Sequence, residues 1–240
     1  MTSEPRPTTL AADQVSEDQA ASLLRLFPTL SLQHLDPFVV LDEFDLEPEV
    51  DAWPTHAPRG FEALTYMLDG AVEHSDASGK TRRVEAGGAQ VVVAPTAHDQ
   101  VEAPVSGVRK RGLKLWVNVP ERLNGATMGV NQVASDAFPE ASSPGVRVRT
   151  VAGDNSPLQL KTPVQCYDIA LGPGASHEAN IPAGWNGFAY VVDGKVTIGE
   201  AKVEAGTAAF PGQGAFKIQS TGDARVMVIA GQPHSSAALS

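Results

Sequence analysis

The sequence predicts a mainly β protein made of two similar modules, and three observations carry that prediction. From about residue 26 onward, short runs rich in Val, Leu, Phe and Tyr recur between Gly, Pro and Asp punctuation. No segment sustains a long apolar period of 3.6 residues, as an amphipathic helix would. The second half also repeats the first. When NIPAGWNGFAYVVDG (180–194) is laid under HAPRGFEALTYMLDG (56–70), five of fifteen positions match: Pro58/Pro182, Gly60/Gly184, Tyr66/Tyr190, Asp69/Asp193 and Gly70/Gly194. Phe61 faces Trp185, and VEAG at 84–87 returns at 203–206 in the same order. Duplication of a module with many short strands and frequent turns points to antiparallel barrels or sandwiches.

The elements follow in chain order. Residues 1–25 read as a loose polar arm, with a weak helical turn around Ser16 to Leu24. PFVVLDEF (37–44) is apolar and then acidic. EALTYML (62–68) is a strand that ends at Asp69-Gly70, a strong turn signal. AVEHSD (71–76) runs to a turn at SGK (78–80), and RRVEAGGAQVVVA gives two further strands around Gly87-Gly88. GLKLWVNVP (112–120) alternates as a half-buried strand does. Residues 121–145, poor in large apolar side chains and rich in Gly, Asn, Ser and Pro, read as a linker with a domain boundary nearby. The second module covers 146–233, and 234–240 is a tail.

Composition excludes several function classes. A formal charge of −10 over 240 residues gives no general electrostatic grip on nucleic acid or an anionic membrane. No run approaches the roughly 18 apolar residues that cross a bilayer. The N-terminus lacks the basic start and apolar core of a secretory signal. Cys166 is the single cysteine, so an internal disulfide is impossible, which fits a reducing, cytoplasmic setting. It reads as a small buried hydrophobe in a strand. Arg109, Lys110 and Arg111 form the one basic cluster and read as a solvated strand end. The glycines of 87–88 and 211–214 open no helix, so they are turns and not a phosphate cradle. Zinc spacing and a nucleophile elbow are both missing.

The chemistry concentrates between Trp53 and Glu102. His56 and His98 lie on two β-like runs, as they would in a metal-binding barrel, but Pro58 and Gln100 stand where a second histidine and a carboxylate would complete a ligand set. Trp53, Phe61, Tyr66 and Trp116 are candidates to line an apolar pocket, with core packing the better default for most of them.

DPFVVLDEF, HAPRGFEALTYMLDGAVEH, GLKLWVNVP and PAGWNGFAYVVDG, in that order, resemble the pirin family over about residues 30–232. The resemblance implies a bicupin: two antiparallel cupin β-barrels packed together, the first at 26–120 and the second at 146–233. It implies Fe(II) or another divalent ion in the first barrel. It also implies either quercetinase-type dioxygenase activity on flavonols or regulation through partner proteins. The chain ends soon after VMVIAGQP, short of the longer tail usual in the family, which implies a less covered first barrel.

The family's His-x-His and His-x-Glu pairs fall on His56 with Pro58 and on His98 with Gln100. Proline cannot ligate through its side chain and glutamine offers only a neutral carbonyl, so iron would be held weakly or not at all. A rebuilt set would use His56, Glu62 and His98, with Gln100 assisting. Glu62 is equally suited to pairing with Arg59 or capping backbone amides. His74, on the strand after the Asp69-Gly70 turn, is a further candidate to approach the site. Glu102, four residues beyond His98, keeps the same strand face, and Glu62 or Glu102 would be the catalytic base. In the second module Asn180 stands where His56 stands in the first, and the adjacent His177 and Glu178 point to opposite faces. No metal is expected there, only a scaffold role.

The foremost expectation is therefore a regulatory or small-molecule-binding bicupin with a weakened or absent metal centre. Its partner would be a small molecule in the first barrel or a regulatory protein. The alternatives are a metal-dependent quercetinase-type dioxygenase with altered ligands, or a metal-free enzyme reusing the cavity. Substrate and oligomeric state are left open.

Overall fold

The computed structural model describes residues 8–18, 21–49, 61–75, 81–93, 101–105, 107–119, 129–153 and 155–234, with backbone only at 16–18, 21, 74–75 and 101–104. His56, Pro58, His98, Gln100, Trp53 and the 78–80 turn lie outside the described residues. Nearly every described element is a strand, and one short 3-10 turn at Ser135–Ala137 is the only helical piece among them.

The chain divides into two units: Asp13–Phe138 with Ser156–Thr162, here the N-terminal module, and Met1–Ala12 with Pro139–Asn155 and Pro163–Ser240, here the C-terminal module. The N-terminal module uses β2 (Asp13–Asp18), β3 (Ala21–Phe27), β4 (Phe38–Leu46), β5 (Phe61–Asp69), β6 (Ala71–Ser75), β7 (Thr81–Glu85), β8 (Ala89–Val93), β9 (Val101–Pro104), β10 (Lys110–Asn118) and β11 (Gly129–Val133). They form a seven-stranded sheet, β11-β8-β5-β10-β4-β3-β2, and a three-stranded sheet, β7-β6-β9. The C-terminal module uses β1 (Thr9–Ala11), β12 (Glu140–Ser143), β13 (Val146–Ala152), β14 (Val164–Leu171), β15 (Ser176–Ile181), β16 (Asn186–Asp193), β17 (Lys195–Ile198), β18 (Ala201–Glu204), β19 (Thr207–Ala209), β20 (Gly214–Ser220) and β21 (Ala224–Gly231). Its sheets are β1-β19-β16-β21-β14-β13-β12 and β15-β20-β17-β18.

The two large sheets have the same order, strand for strand, and the repeat read from sequence is built into their backbones. Gly70 and Gly194 both take positive φ, +70° and +79°, where a Cβ would meet the carbonyl oxygen of Arg109 or Asp223 at 2.1 and 2.3 Å. Only glycine fits either corner. Gly87 donates its N–H to the Met67 carbonyl, as Gly206 does to that of Val191. The Arg111 guanidinium binds Glu43 on the neighbouring strand, and at the equivalent place Arg225 binds Asp168 through two hydrogen bonds of 2.9 and 2.8 Å.

The structure corrects the sequence in four places. The expected loose arm contains β1, β2 and β3, and the weak helical turn at Ser16 to Leu24 is instead β2 and β3, paired antiparallel. The expected linker contains β11 and β12. The basic cluster is not simply a solvated end: Lys110 is fully buried, with its ammonium 3.4 Å from the Pro48 carbonyl, while Arg109 and Arg111 bind Asp45 and Glu43. β10 is buried on both faces, not one, because Leu113, Leu115, Gly112 and Lys114 are all inside.

β1 and β11 also exchange places. β1 precedes the N-terminal module in sequence yet pairs with β19 of the C-terminal one, whereas β11 precedes the C-terminal module and pairs with β8.

Candidate ligand site in the N-terminal module

In a paired sheet, residues in register form a row across the strands, and every second row faces the same side. In the N-terminal module Leu23, Phe44 and Met67 of the large sheet pack with Val72 and Val84 of the small one, which identifies the inner face. Gly112 belongs to that face too, since a Cβ there would strike the Phe44 ring at 2.3 Å.

Two residues along each strand, the same inner face carries Arg25, Asp42, Lys114, Thr65, Gln90 and Gln132, paired in that order across β3, β4, β10, β5, β8 and β11. This polar row is buried: Asp42 and Lys114 are each 7% exposed, Thr65 2% and Gln90 not at all. Arg25 grips Asp42 through two hydrogen bonds of 2.7 and 2.8 Å, and the Gln132 amide donates to Gln90 Oε1 at 3.0 Å. Burying such charges is costly unless they are paired, so the fork of Arg25 on Asp42 is what makes the row tolerable. One row further on, Val40, Trp116, Ala63 and Val92 follow, and Val40, Ala63 and Val92 are buried as well. The Phe61 and Trp116 rings lie 6.3 Å apart, tilted by 33°. Tyr66 is a core residue, 1% exposed.

The expected site residues are distributed as follows. Glu62 is on β5 but on the opposite face from Thr65 and Met67. Its carboxylate accepts the Lys161 N–H at both oxygens, 2.9 and 2.8 Å, and the Thr162 N–H at 3.3 Å. Thr162 is anchored in turn by its hydroxyl, which donates to the Asn118 carbonyl at 2.7 Å. Burial pushes the Glu62 carboxyl above its usual range, and the two amides with the Lys161 charge pull against that. Glu62 thus acts as an amide cap, the role weighed against ligation in the sequence. It faces away from the inner surface on which a ligand or base would act. Glu102 is on β9, where its backbone pairs with His74 of β6. Among the described residues no group of three or more His, Cys, Asp or Glu could hold a metal ion. His56, His98 and Gln100 lie outside those residues, and the row places Lys114 on the inner face of β10.

In the C-terminal module His177 is half-buried beside exposed Glu178 on β15, and burial lowers its imidazole below its usual range. Asn180 is exposed. Cys166 is buried, and burial with the nearby Asp168 charge pushes its thiol far above the ordinary range, so it is an inert packing residue.

Comparison with known proteins follows the same division. Residues 20–117 match the model of the Pirin family and residues 166–238 that of the Pirin C-terminal cupin domain. The chain is 32% identical over 230 residues to human pirin, covering 91% of this chain and 79% of that one. It is also 32% identical over 237 residues to a Pseudomonas aeruginosa protein named as a quercetin 2,3-dioxygenase, covering 91% and 83%. Among solved structures, one from Geobacillus kaustophilus superposes with a TM-score of 0.83 at 23% identity, covering 94% of each chain. The bacterial pirin YhhW of Escherichia coli, in complex with nickel(II), superposes with a TM-score of 0.74 at 24% identity, covering 92% and 95%.

Proposed function

The chain belongs to the pirin family, and from that premise we propose that it is a small-molecule-binding or regulatory member whose N-terminal module holds the ligand and binds divalent metal weakly or not at all. The observation that carries this reading is the buried polar row. The N-terminal module presents Arg25, Asp42, Lys114, Thr65, Gln90 and Gln132 inside, a surface that can recognise a polar molecule. Pro58 and Gln100, at two positions where the family pattern has ligands, support the same reading. The C-terminal module, apolar inside, serves as scaffold.

A second reading, dioxygenase action on a flavonol with an altered ligand set around His56, His98 and Gln100, is favoured by the relative named as a quercetin 2,3-dioxygenase. Nickel held by a pirin of the same fold favours it too. Oxygen-dependent consumption of quercetin separates the two. After anaerobic incubation with Fe(II), Ni(II) or Mn(II), the first reading expects no turnover above the free-metal background. Turnover that disappears in His98→Ala establishes the second instead.

A further inference from the structure

We propose that β12 of the C-terminal module is a self-association edge, on which a second copy of this chain lays its own β12 antiparallel about a two-fold axis at Ala141. Such pairing is independent of the ligand reading above and gives the scaffold module a surface of its own.

β12 ends the seven-stranded sheet of its module and pairs only with β13. Next to it, Thr150 donates its N–H to the Pro139 carbonyl at 2.9 Å. Bonded and non-bonded pairs alternate along an antiparallel ladder, so Ala141 and Ser143 direct their backbone groups to Val148 and Val146. Glu140 and Ser142 therefore turn N–H and C=O to the open edge. An edge of this kind is ordinarily blunted by lysine, by proline or by a covering loop. β12 reads EASS, and among the edge strands whose side chains are all described it is the one with every residue exposed.

A copy of β12 fits this edge because the segment complements itself. Centred on Ala141, the pairing sets Glu140 against the partner's Ser142 and Ser142 against the partner's Glu140, and each pair exchanges two backbone hydrogen bonds. Pro139, which has no N–H, falls opposite the partner's Ser143 in a non-bonded pair, where none is needed. Charges complement too. Glu140 Oε1 accepts hydrogen bonds from Arg149 Nε at 2.6 Å and Arg147 at 3.0 Å, and Arg147 stands beside Ser142 in the ladder. The row across the joined edge thus reads Arg149, Glu140, the partner's Ser142 and the partner's Arg147, which sets each carboxylate between arginines of both copies. Like charges directly opposite would oppose pairing, but each Glu140 faces a hydroxyl and the two glutamates are only diagonal neighbours. On the other face Ala141 meets its own copy, with no bulk to obstruct the approach.

The contact is small, so the dimer is weak, with a dissociation constant on the order of 100 μM. Sedimentation equilibrium of the full chain from about 10 μM to about 1 mM should show the mass rising from one chain towards two. Ala141→Asp opposes two carboxylates at the axis and should hold the mass at one chain. The position is exposed, so the fold tolerates it. Register is read by cysteine cross-linking under a mild oxidant, to which the buried Cys166 does not contribute. Ala141→Cys sets two Cα atoms about 4.5 Å apart, inside the disulfide range, whereas Ser143→Cys leaves about 14 Å between them. Ala141→Cys should therefore cross-link about tenfold faster or more. Adding Ser142→Pro removes an outward N–H that β13 does not use and should suppress that cross-link. A mass of one chain up to about 1 mM, an Ala141→Asp variant that dimerises as the wild type does, Ser143→Cys cross-linking as fast as Ala141→Cys, or a folded Ser142→Pro variant that cross-links unchanged would each overturn the proposal. Should the proline variant not fold, Ala141→Asp and the two cysteine positions decide it.

Discussion

The two modules share strand order, corner glycines and an arginine–carboxylate pair, yet their interiors differ in polarity along one row. Arg25, Asp42, Lys114, Thr65, Gln90 and Gln132 in the N-terminal module correspond to Thr150, Tyr167, Val228, Ala189, Ala209 and Thr9 in the C-terminal one. The corner glycines and the surface pairs keep the backbone in place and are the same in both. The inner row does not set the backbone, so it is free to be a core in one module and a binding surface in the other. The module that keeps a polar interior is the one to examine for function.

The largest effect should come from breaking the row at its anion. Asp42→Ala removes the buried carboxylate that holds the half-buried Arg25 and should cost about 3 kcal/mol in denaturant unfolding. Lys114→Val, which copies the C-terminal module, should cost clearly less, because it leaves the Arg25–Asp42 fork intact. If both variants are equally destabilised, the row is structural and the contrast between the modules loses its functional meaning.

Glu62→Ala is next. It leaves the Lys161 and Thr162 amides without their acceptor at a cost of about 2–3 kcal/mol, read from the thermal midpoint. The acidity of Glu62 gives a second signal. A carboxyl whose folded pKa is raised contributes stability that is present below its usual range and is lost as pH rises through the raised value. On going from pH 7 to pH 5 the wild type should therefore gain stability relative to Glu62→Gln. No change in that difference contradicts the desolvated cap.

Gly70→Ala and Gly194→Ala test the shared part of the comparison. Each forces a side chain into positive φ against a carbonyl and should cost about 1–2 kcal/mol or more, to the same extent in both modules. Unequal costs would break the equivalence of the corners. The smallest effect belongs to Arg149→Ala. Glu140 is held below its usual range by Arg149 and then Arg147, a contribution present at neutral pH and lost as pH falls, but the pair is exposed and should be worth under about 1 kcal/mol.

Much of this was legible in the sequence. The strands Phe61–Asp69, Thr81–Glu85, Ala89–Val93 and Lys110–Asn118, the turn at Asp69-Gly70 and the duplication follow from residue pattern, because corners need glycine and strands alternate. The exchanged strands β1 and β11 were not legible. Thr9–Ala11 is short, and its partner lies some 200 residues away, so nothing local marks it. The burial of Lys114 is not legible either. The alternation in GLKLWVNVP makes Leu113, Leu115 and Val117 the obvious buried face and assigns Lys114 to solvent. Both faces of β10 are buried, and sequence alternation alone cannot reveal that. Only the sheet register shows that Val228 of β21 stands where Lys114 stands in β10. Glu62 shows the limit of motif carry-over: its spacing suits a ligand, but its strand parity sends it to the other face.

Metal stoichiometry tests the central claim most directly. Protein purified without chelator and dialysed against excess Ni(II) or, anaerobically, Fe(II) should retain well under one metal per chain after removal of free ion, with no difference between wild type and His98→Ala. One tightly held ion per chain that vanishes in His98→Ala would contradict the account and return the N-terminal module to metal chemistry.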